Sequence, residues 1–373
     1  MKKTLSIVLA VLMLFSVVLT GCGTSNGEAE EKTKTEKIIL TTGGEAGTYY
    51  GYCTAMSGVL NEKTGIDFKV LTSGGSKANI QRIQVEDANM AIVQNDVMYY
   101  AYTGTDLFTG EQTQDFSAMA VLYPELCQII ASKESGIKTV ADLAGKRVSV
   151  GDAGSGVEFN AKQILEACGI DMETGIQKNN LGFDASADAL KDGKIDAFFC
   201  VAGIPTTAIT TLALNNEIEV VEVDDEVFAT LSEKYGFYTQ QTVPAGTYTG
   251  VDVDKKTVAV MATFIVDNDL TEDTVYAMTK AIFENKDAIT AVHAKGKELD
   301  VNNAVQGIPS EVPMHAGAVK YFKEAGVLDE NGEPVVEEVV EDVVEEVAED
   351  VVEEVAEEVV EEVVEEATEE TAE

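Results

Sequence analysis

Residues 148–169, VSVGDAGSGVEFNAKQILEACG, constrain the fold more than any other stretch, because strand, glycine loop and helix follow one another directly. Val148, Ser149 and Val150 read as the end of a buried strand. Gly151, Gly154 and Gly156 then form a loop in which backbone can approach a ligand closely. Ser155 is placed to cap the helix that follows, whose apolar residues Val157, Ala161, Ile164, Leu165 and Cys168 recur at helical spacing until Gly169 ends it. The unpaired N–H groups of that helix start, with the positive end of its dipole behind them, make a place for an anion.

The same grammar appears in residues 38–60, IILTTGGEAGTYYGYCTAMSGVL, where a β-branched run, a glycine loop and a helix carrying Ala55, Met56, Val59 and Leu60 succeed each other. Two such units predict two lobes. From Ile38 the rhythm is strand, helix, strand FKVLTSGG, helix from Ser76, strand MAIVQND. Residues 97–117, with Tyr99, Tyr100 and Tyr102, read as a linking region, and AMAVLYPELCQIIAS as a strand leading out of the first lobe. The rhythm repeats from Lys146, with a strand near residues 180–183 and a long helix over 272–293. NIQRIQVEDANMAIVQND and SADALKDGKIDAFFCVAG share one form, a short amphipathic helix, a polar turn and a buried strand. That weak duplication puts ligand-sized loop residues at the carboxyl ends of corresponding strands. The expected class is α/β, with parallel-rich sheets flanked by helices. The chain leaves the first lobe near Val121 and returns near Pro244, so 38–120 with 245–328 form lobe 1, 121–244 form lobe 2, and two strands form a hinge suited to closure on a ligand.

Both ends of the chain lie outside this pattern. Lys2 and Lys3 precede an apolar run from Leu5 to Leu19 that is too short for a convincing membrane span and has the layout of a secretory signal. Leu19, Thr20, Gly21 and Cys22 resemble the lipobox of bacterial lipoproteins, which implies removal of residues 1–21, lipidation of Cys22 and an extracytoplasmic protein anchored to the cell membrane. Residues 22–37 are polar and aperiodic and read as a flexible tether. Residues 329–373 read as an acidic low-complexity tail, since after Pro334 the chain becomes VVEEVVEDVVEEVAED and onward. Its four-residue period drifts about 40° around a helix per repeat, and glutamates without Lys or Arg repel each other. The tail holds about half of the net charge of −40. A balance so acidic excludes nucleic acid as a partner, because phosphate contacts need clustered Lys and Arg. Cys53, Cys127, Cys168 and Cys200 lie in apolar or helical contexts without metal-ligand spacing and read as buried free thiols.

Signals for catalysis are weak. His293 and His315 are the only histidines, and neither stands in a nucleophile elbow or in HExxH spacing. Gly151, Gly154 and Gly156 do not make GxGxxG, and no Walker lysine follows, so neither cofactor nor metal is expected. Binding has better support. Gly47, Thr48, Tyr49 and Tyr50 at one helix start, Ser73, Gly74, Ser76 and Asn79 at another, Gln94, Asn95 and Asp96 after a strand, and Gly154, Ser155 and Gly156 in the second lobe all supply neutral donors and acceptors at loop tips. A small polar solute fits between such helix starts, its carboxylate on backbone N–H groups, its apolar part on Tyr49 or Tyr50 and its amino group on Asp96. Plainer roles are open to the same residues: glycines in turns, Ser73 and Ser76 as caps, Tyr50 in the core. Arg82 and Arg147 sit mid-helix and at a strand start, away from the expected pocket.

The segments TTGGxxGTYY, LTSGGSxxNI, QND, KRVSVGxxGSGVExNAxxILxAxG, LKDGKIDAFFxVAGIPTTAI and HAGAVKYFKEAG resemble, in order, the TAXI class of solute receptors for tripartite ATP-independent periplasmic (TRAP) transporters. The likeness runs from about Ile38 to Leu328. It implies a two-lobed, type II periplasmic-binding-protein-like fold, a monomer that closes on a small carboxylate such as a glutamate-like amino acid or a dicarboxylate, and delivery to an ion-driven TRAP permease. It also implies a pocket drawn from 47–50, 73–79, 94–96, 154–156 and Gly203. Glu45 and Asp152 sit in the two glycine loops, where the family is usually neutral, and leave room for an amino acid over a dianion. Two other classes compete with this reading. An enzyme on the same fold would draw its base from Glu45, Asp96, Asp152 or Glu158, and a surface protein would use the acidic tail to bind cations or cell wall.

Overall fold

The computed structural model describes residues 36–335. The signal segment, Cys22, nearly all of the tether and the tail from residue 336 lie outside the described residues.

In the first half, β1 (Lys37–Thr41), α1 (Thr48–Thr64), β2 (Asp67–Leu71), α2 (Ser76–Gln84), β3 (Met90–Gln94) and α3 (Asn95–Thr103) lead into the long strand β4 (Phe116–Ser132). The second half runs through β5 (Arg147–Ser149), α4 (Gly156–Ala167), β6 (Gln177–Asn179), α5 (Phe183–Lys191), β7 (Ala197–Ala202), α6 (Thr207–Ala213), β8 (Ile218–Val221), α7 (Asp225–Lys234) and β9 (Thr239–Val243). A second long strand, β10 (Lys255–Asp267), returns the chain to α8 (Glu272–Glu284), α9 (Lys286–Val292) and α10 (Ala316–Glu324).

The strands form one sheet in the order β2-β1-β3-β10-β4-β7-β5-β6, with β9 beside β10 and β8 beside β4. The outer trios are parallel, and the two long strands run antiparallel to each other and to their neighbours. Each half therefore repeats one pattern: three parallel strands, then a strand belonging to the crossing pair. This is a mixed α/β arrangement, a sheet parallel in each outer trio and flanked by helices. β4 can cross because it is buried on both faces, with only Pro124 and Ser132 partly exposed. Met119, Leu122 and Tyr123 pack with Tyr52, Met56 and Phe264, whereas Cys127, Ile129 and Ala131 pack with Val148, Ile164 and Leu165. β10 divides the same way, Val258 and Val260 in the second core and Ala262, Phe264 and Val266 in the first.

Several expectations are corrected here. The chain does not return to the first half at 245. Tyr248 and Val251 pack with Val243 and Ile209 in the second half, because β9 forms a hairpin with β10 there, and β10 crosses only at Met261. The stretch read as a link from residue 97 begins as helix α3 directly on β3, with no Gly or Pro to separate them. The strand expected near 180–183 is β6, which ends at Asn179, and the helix expected over 272–293 is broken at Asn285 into α8 and α9. The ordered chain continues past Leu328, since Val335 N donates to Val327 O at 2.9 Å. Cys53, Cys127, Cys168 and Cys200 are free, all but Cys168 buried. No helix among the described residues is long and apolar enough to cross a membrane.

Candidate functional site

The turns after β1, β2, β5 and β6 line one cleft of about 250 Å³, which Gln94, Glu125, Val201 and Ala202 close from the sheet. That is near the small end of the roughly 300–1,000 Å³ common for small-molecule sites. Four helices begin there: α1 behind Gly47, α2 behind Gly75, α4 behind Ser155 and α5 behind Gly182. Gly47, Gly75 and Gly182 provide no side-chain cap, so the first-turn N–H groups of three helices stay available to an occupant. Gly75 sits at φ 98°, a conformation L side chains rarely adopt. Ser155 does cap its helix, accepting from Glu158 N at 3.1 Å. Among the described residues no Lys, Arg or His lines the cleft, and Glu125, Asp152 and Asp184 do. An anionic group here is met by backbone dipoles from both halves, and a cationic group by carboxyls.

Of the residues expected at the site, Gly47, Thr48, Tyr49, Ser73, Gly74, Ser76, Gln94, Ser155 and Gly156 line the cleft. Six do not, and each has a physical reason. Tyr50 is half-buried in the first turn of α1, outside the lining. Asn79 is buried as a stitch between strands, its Oδ1 accepting from Thr41 and Ser73 and its Nδ2 donating to Ile92 O at 2.8 Å. Asn95 serves the sheet: β3 ends one residue earlier, opposite Ala262, and Asn95 Oδ1 takes up the N–H of Met261 at 2.9 Å. Asp96 is buried in the first turn of α3 against Asn160, whose Nδ2 donates to Oδ2 at 2.8 Å. Gly154 donates to Glu158 Oε2 at 2.6 Å outside the lining. Gly203 is shielded by Lys295 and Tyr123, and its carbonyl is taken by Thr48 and Thr206. Glu45 is exposed outside the lining, whereas Asp152 is in it, its carboxyl pushed up by partial burial.

Glu125 and Phe183 are among the lining residues that local reading missed. Glu125 is 2% exposed, and the Tyr49 phenol donates to its Oε2 at 2.5 Å. Burial pushes its carboxyl up to about 8, and the Tyr49 hydrogen bond opposes part of that rise. The signal for it was a lone carboxyl in the otherwise apolar run of β4. Phe183 opens α5 behind a bare glycine, the same grammar as α1, and its ring lies 3.5 Å from where a side chain on Gly47 would begin. His293 and His315 act as local caps, their Nδ1 atoms accepting from Lys295 N and Gly317 N. Among the described residues no group of three or more His, Cys, Asp or Glu side chains is arranged to hold a metal ion.

The sequence of residues 40–326 matches the NMT1-like family, well over half of the chain. The chain belongs to the NMT1-like family. Among solved structures it is similar to the alkanesulfonate-binding protein SsuA from Xanthomonas axonopodis pv. citri bound to MOPS, at 12% identity and a TM-score of 0.43, over 78% of this chain and 79% of that one. It is similar as well to PhnD1 from Prochlorococcus marinus in complex with methylphosphonate, at 12% identity and a TM-score of 0.48, over 69% and 90%. A putative L-cystine ABC transporter protein from Listeria monocytogenes aligns at 18% identity and a TM-score of 0.44, over 70% and 95%.

In this NMT1-like chain the two halves touch on both sides of the cleft. On one side Thr48 Oγ1 donates to Gly203 O at 2.7 Å, and Ala208 N donates to Ala46 O. On the other, a buried polar chain crosses from α3 to α4. Gln94 Nε2 donates to Asn160 Oδ1, Asn160 Nδ2 donates to Asp96 and to Tyr238 at 2.9 Å, Tyr238 donates to Gln163 Oε1 at 2.5 Å, and Gln163 Nε2 donates to Tyr100 at 3.0 Å. Gly156 makes the approach possible, since a side chain there would collide with the Gln94 amide and come within 2.8 Å of Val97. Among the described residues Asp96 Oδ1 has no hydrogen-bond partner, and burial pushes the carboxyl up to about 6.

Proposed function

We propose that this protein is an extracytoplasmic solute receptor, tethered to the cell membrane through lipidated Cys22. Its two halves close on a small carboxylate, either a glutamate-like amino acid or a dicarboxylate, and present it to a TRAP permease. The observation that carries the reading is the convergence of four helix starts, three without side-chain caps, on a cleft whose lining contains no side-chain cation. Free N–H groups at helix starts recognise carboxylate oxygens without a counter-ion, and their supply from both halves makes ligand binding and closure one event. The motif order resembling the TAXI receptors supports the choice of permease class, and the lipobox-like LTGC supports the anchor. The apolar flank formed by Val157, Phe183 and Val201 suits the methylene part of an amino acid. Asp152 and Asp184 in the lining disfavour a solute carrying two negative charges and no positive one.

A thermal-shift screen of the full chain against amino acids, dicarboxylates and keto acids tests this. A ligand that binds only the folded state raises Tm with its concentration relative to Kd. A saturable shift with one carboxylate, lost in Gly156→Val, supports the receptor. Turnover of a solute without a stable shift would move the cleft to an enzyme.

A further inference from the structure

Glu125 differs from the other acids of the cleft in burial and in place. It sits where β4 passes from one half to the other, opposite Val260 of β10, while Asp152 lies on an exposed loop and Asp184 is exposed at the start of α5. Tyr49 engages Oε2, and among the described residues Oε1 has no hydrogen-bond partner although the side chain lines the cleft. The titratable groups facing it are Tyr49 from α1, Tyr123 and Cys127 from β4 itself, Asp96 from α3, Cys200 from β7 and Lys295 from the turn at 294–298. Lys295 is the one cation in this set. Its Nζ binds Glu298 Oε1 at 2.6 Å and lies 5.1 Å from the centre of the Tyr123 ring, so its charge is shared with Glu298 and offsets only part of the rise that burial gives the Glu125 carboxyl.

We propose that Glu125 is the specificity-determining group of the cleft: it pairs with the ammonium of an amino-acid-like solute, and the proton it carries in the unfilled cleft passes to solvent as that pair forms. The inference rests on reading the cleft as a solute site. The carboxyl O–H bond breaks, its proton goes to water or buffer, and the carboxylate left behind takes N–H donors from the ammonium. The solute's own carboxylate is then received at the helix starts. A des-amino solute has nothing to offset an ionised, buried carboxylate, so Glu125 keeps its proton and supplies no charge to the complex.

The sign of the pH dependence follows. Pairing requires the ionised form, and burial holds the free carboxyl near 8. Affinity for an amino acid therefore rises by up to about tenfold per pH unit across the neutral range and levels off above the Glu125 transition, while affinity for the des-amino analogue does not rise. The experiment is titration calorimetry of the full chain between pH 6.5 and 8.5, in two buffers of different protonation enthalpy. The probes are L-glutamate against glutarate and L-leucine against 4-methylpentanoate. Release of close to one proton per amino acid bound at pH 7, absent for the des-amino acids and absent in Glu125→Gln, is the expected result. Glu125→Gln keeps an acceptor for Tyr49 and should lose amino-acid affinity by about tenfold or more. If Glu125→Gln fails to fold, the wild-type proton count decides alone. Amino-acid binding with no proton release, or with equal affinity and pH profile in Glu125→Gln, overturns the proposal and leaves the receptor reading standing. Absence of binding by all four probes and by every solute of the thermal screen overturns both.

Discussion

Asp96→Asn should make this protein more stable at neutral pH and leave it nearly unchanged in acid. Asp96 is buried with one oxygen on Asn160 and the other unpaired, and its carboxyl is raised from 3.8 to about 6. The folded carboxyl holds its proton more tightly than the unfolded one. Its contribution to stability is therefore complete below pH 3.8 and is lost as pH rises through 6. At 1.36 kcal/mol per pKa unit, the loss is about 3 kcal/mol by pH 7.5. Asparagine keeps the oxygen that Asn160 uses and carries no charge to bury, so it avoids that loss. It gives up the favourable charge at the start of α3, about 0.3–1 kcal/mol. The net expectation is about 2 kcal/mol in favour of the variant at pH 7.5, less than about 1 kcal/mol in its favour at pH 4.5, and a Tm gain of roughly 4–8 °C at the higher pH. Urea unfolding of both proteins at the two pH values, with ΔG extrapolated linearly, measures it. Equal differences at both pH values would refute the reasoning. They would mean that Asp96 ionises freely, and hence that water reaches the polar chain between the halves.

Gly156→Val places a side chain against Gln94 and Val97 where the halves meet, and overpacking of about 1–3 kcal/mol should weaken solute binding roughly 5- to 150-fold by calorimetry. Phe183→Ala removes the apolar wall behind the bare glycine start of α5, and an affinity loss of about tenfold, with Tm of the unliganded chain within a few degrees, is expected. Thr48→Val deletes the donor to Gly203 O but orphans nothing, because Thr206 Oγ1 also donates there at 3.0 Å. Denaturant unfolding should therefore change by less than about 1 kcal/mol, while solute affinity falls a few-fold. Truncation after Val335 should leave solute binding and Tm unchanged, whereas truncation after Asp329 should lower Tm, because it removes the strand bridge between Leu328 and Pro334 and the bond from Val335 N to Val327 O.

What could be read from the sequence was what local chemistry decides. A β-branched run followed by glycines and an apolar stripe at helical spacing specifies a strand, a turn and a helix start within a few residues of each other. The stretches 47–50, 73–79 and 154–156 therefore stood out as site elements, and each contributes residues to the cleft: Gly47, Thr48 and Tyr49, then Ser73, Gly74 and Ser76, then Ser155 and Gly156. What distant partners decide was hidden. Glu125 is defined by Tyr49, 76 residues away, and Asp96 by Asn160, 64 residues away. Asn79 and Asn95 looked like ligand donors because they are polar and close to turns. Both are consumed by backbone groups that the ends of β1 and β3 leave unpaired, a requirement that burial imposes and no short window displays. The lobe boundary failed for the same reason: Pro244 and Gly246 look like a return connection, yet they turn a hairpin inside the second half.

The repeat in the sheet explains how one cleft serves two tasks. β1, β2 and β3 correspond to β5, β6 and β7 in order, so each half presents three strand-to-helix turns at equivalent places. The first two turns of each half supply the helix starts around the cleft. The third is used differently: Gln94 after β3 reaches Asn160 of α4, and Gly203 after β7 accepts from Thr48 of α1. Each third turn thus touches a helix start of the opposite half. A solute that pulls on those helix starts acts on the same residues that join the halves, so selectivity for its shape and the stability of the closed state share one set of contacts. Glu125, on the strand that passes between the halves, adds charge to that coupling. A single buried carboxyl there senses the occupant and the closure together.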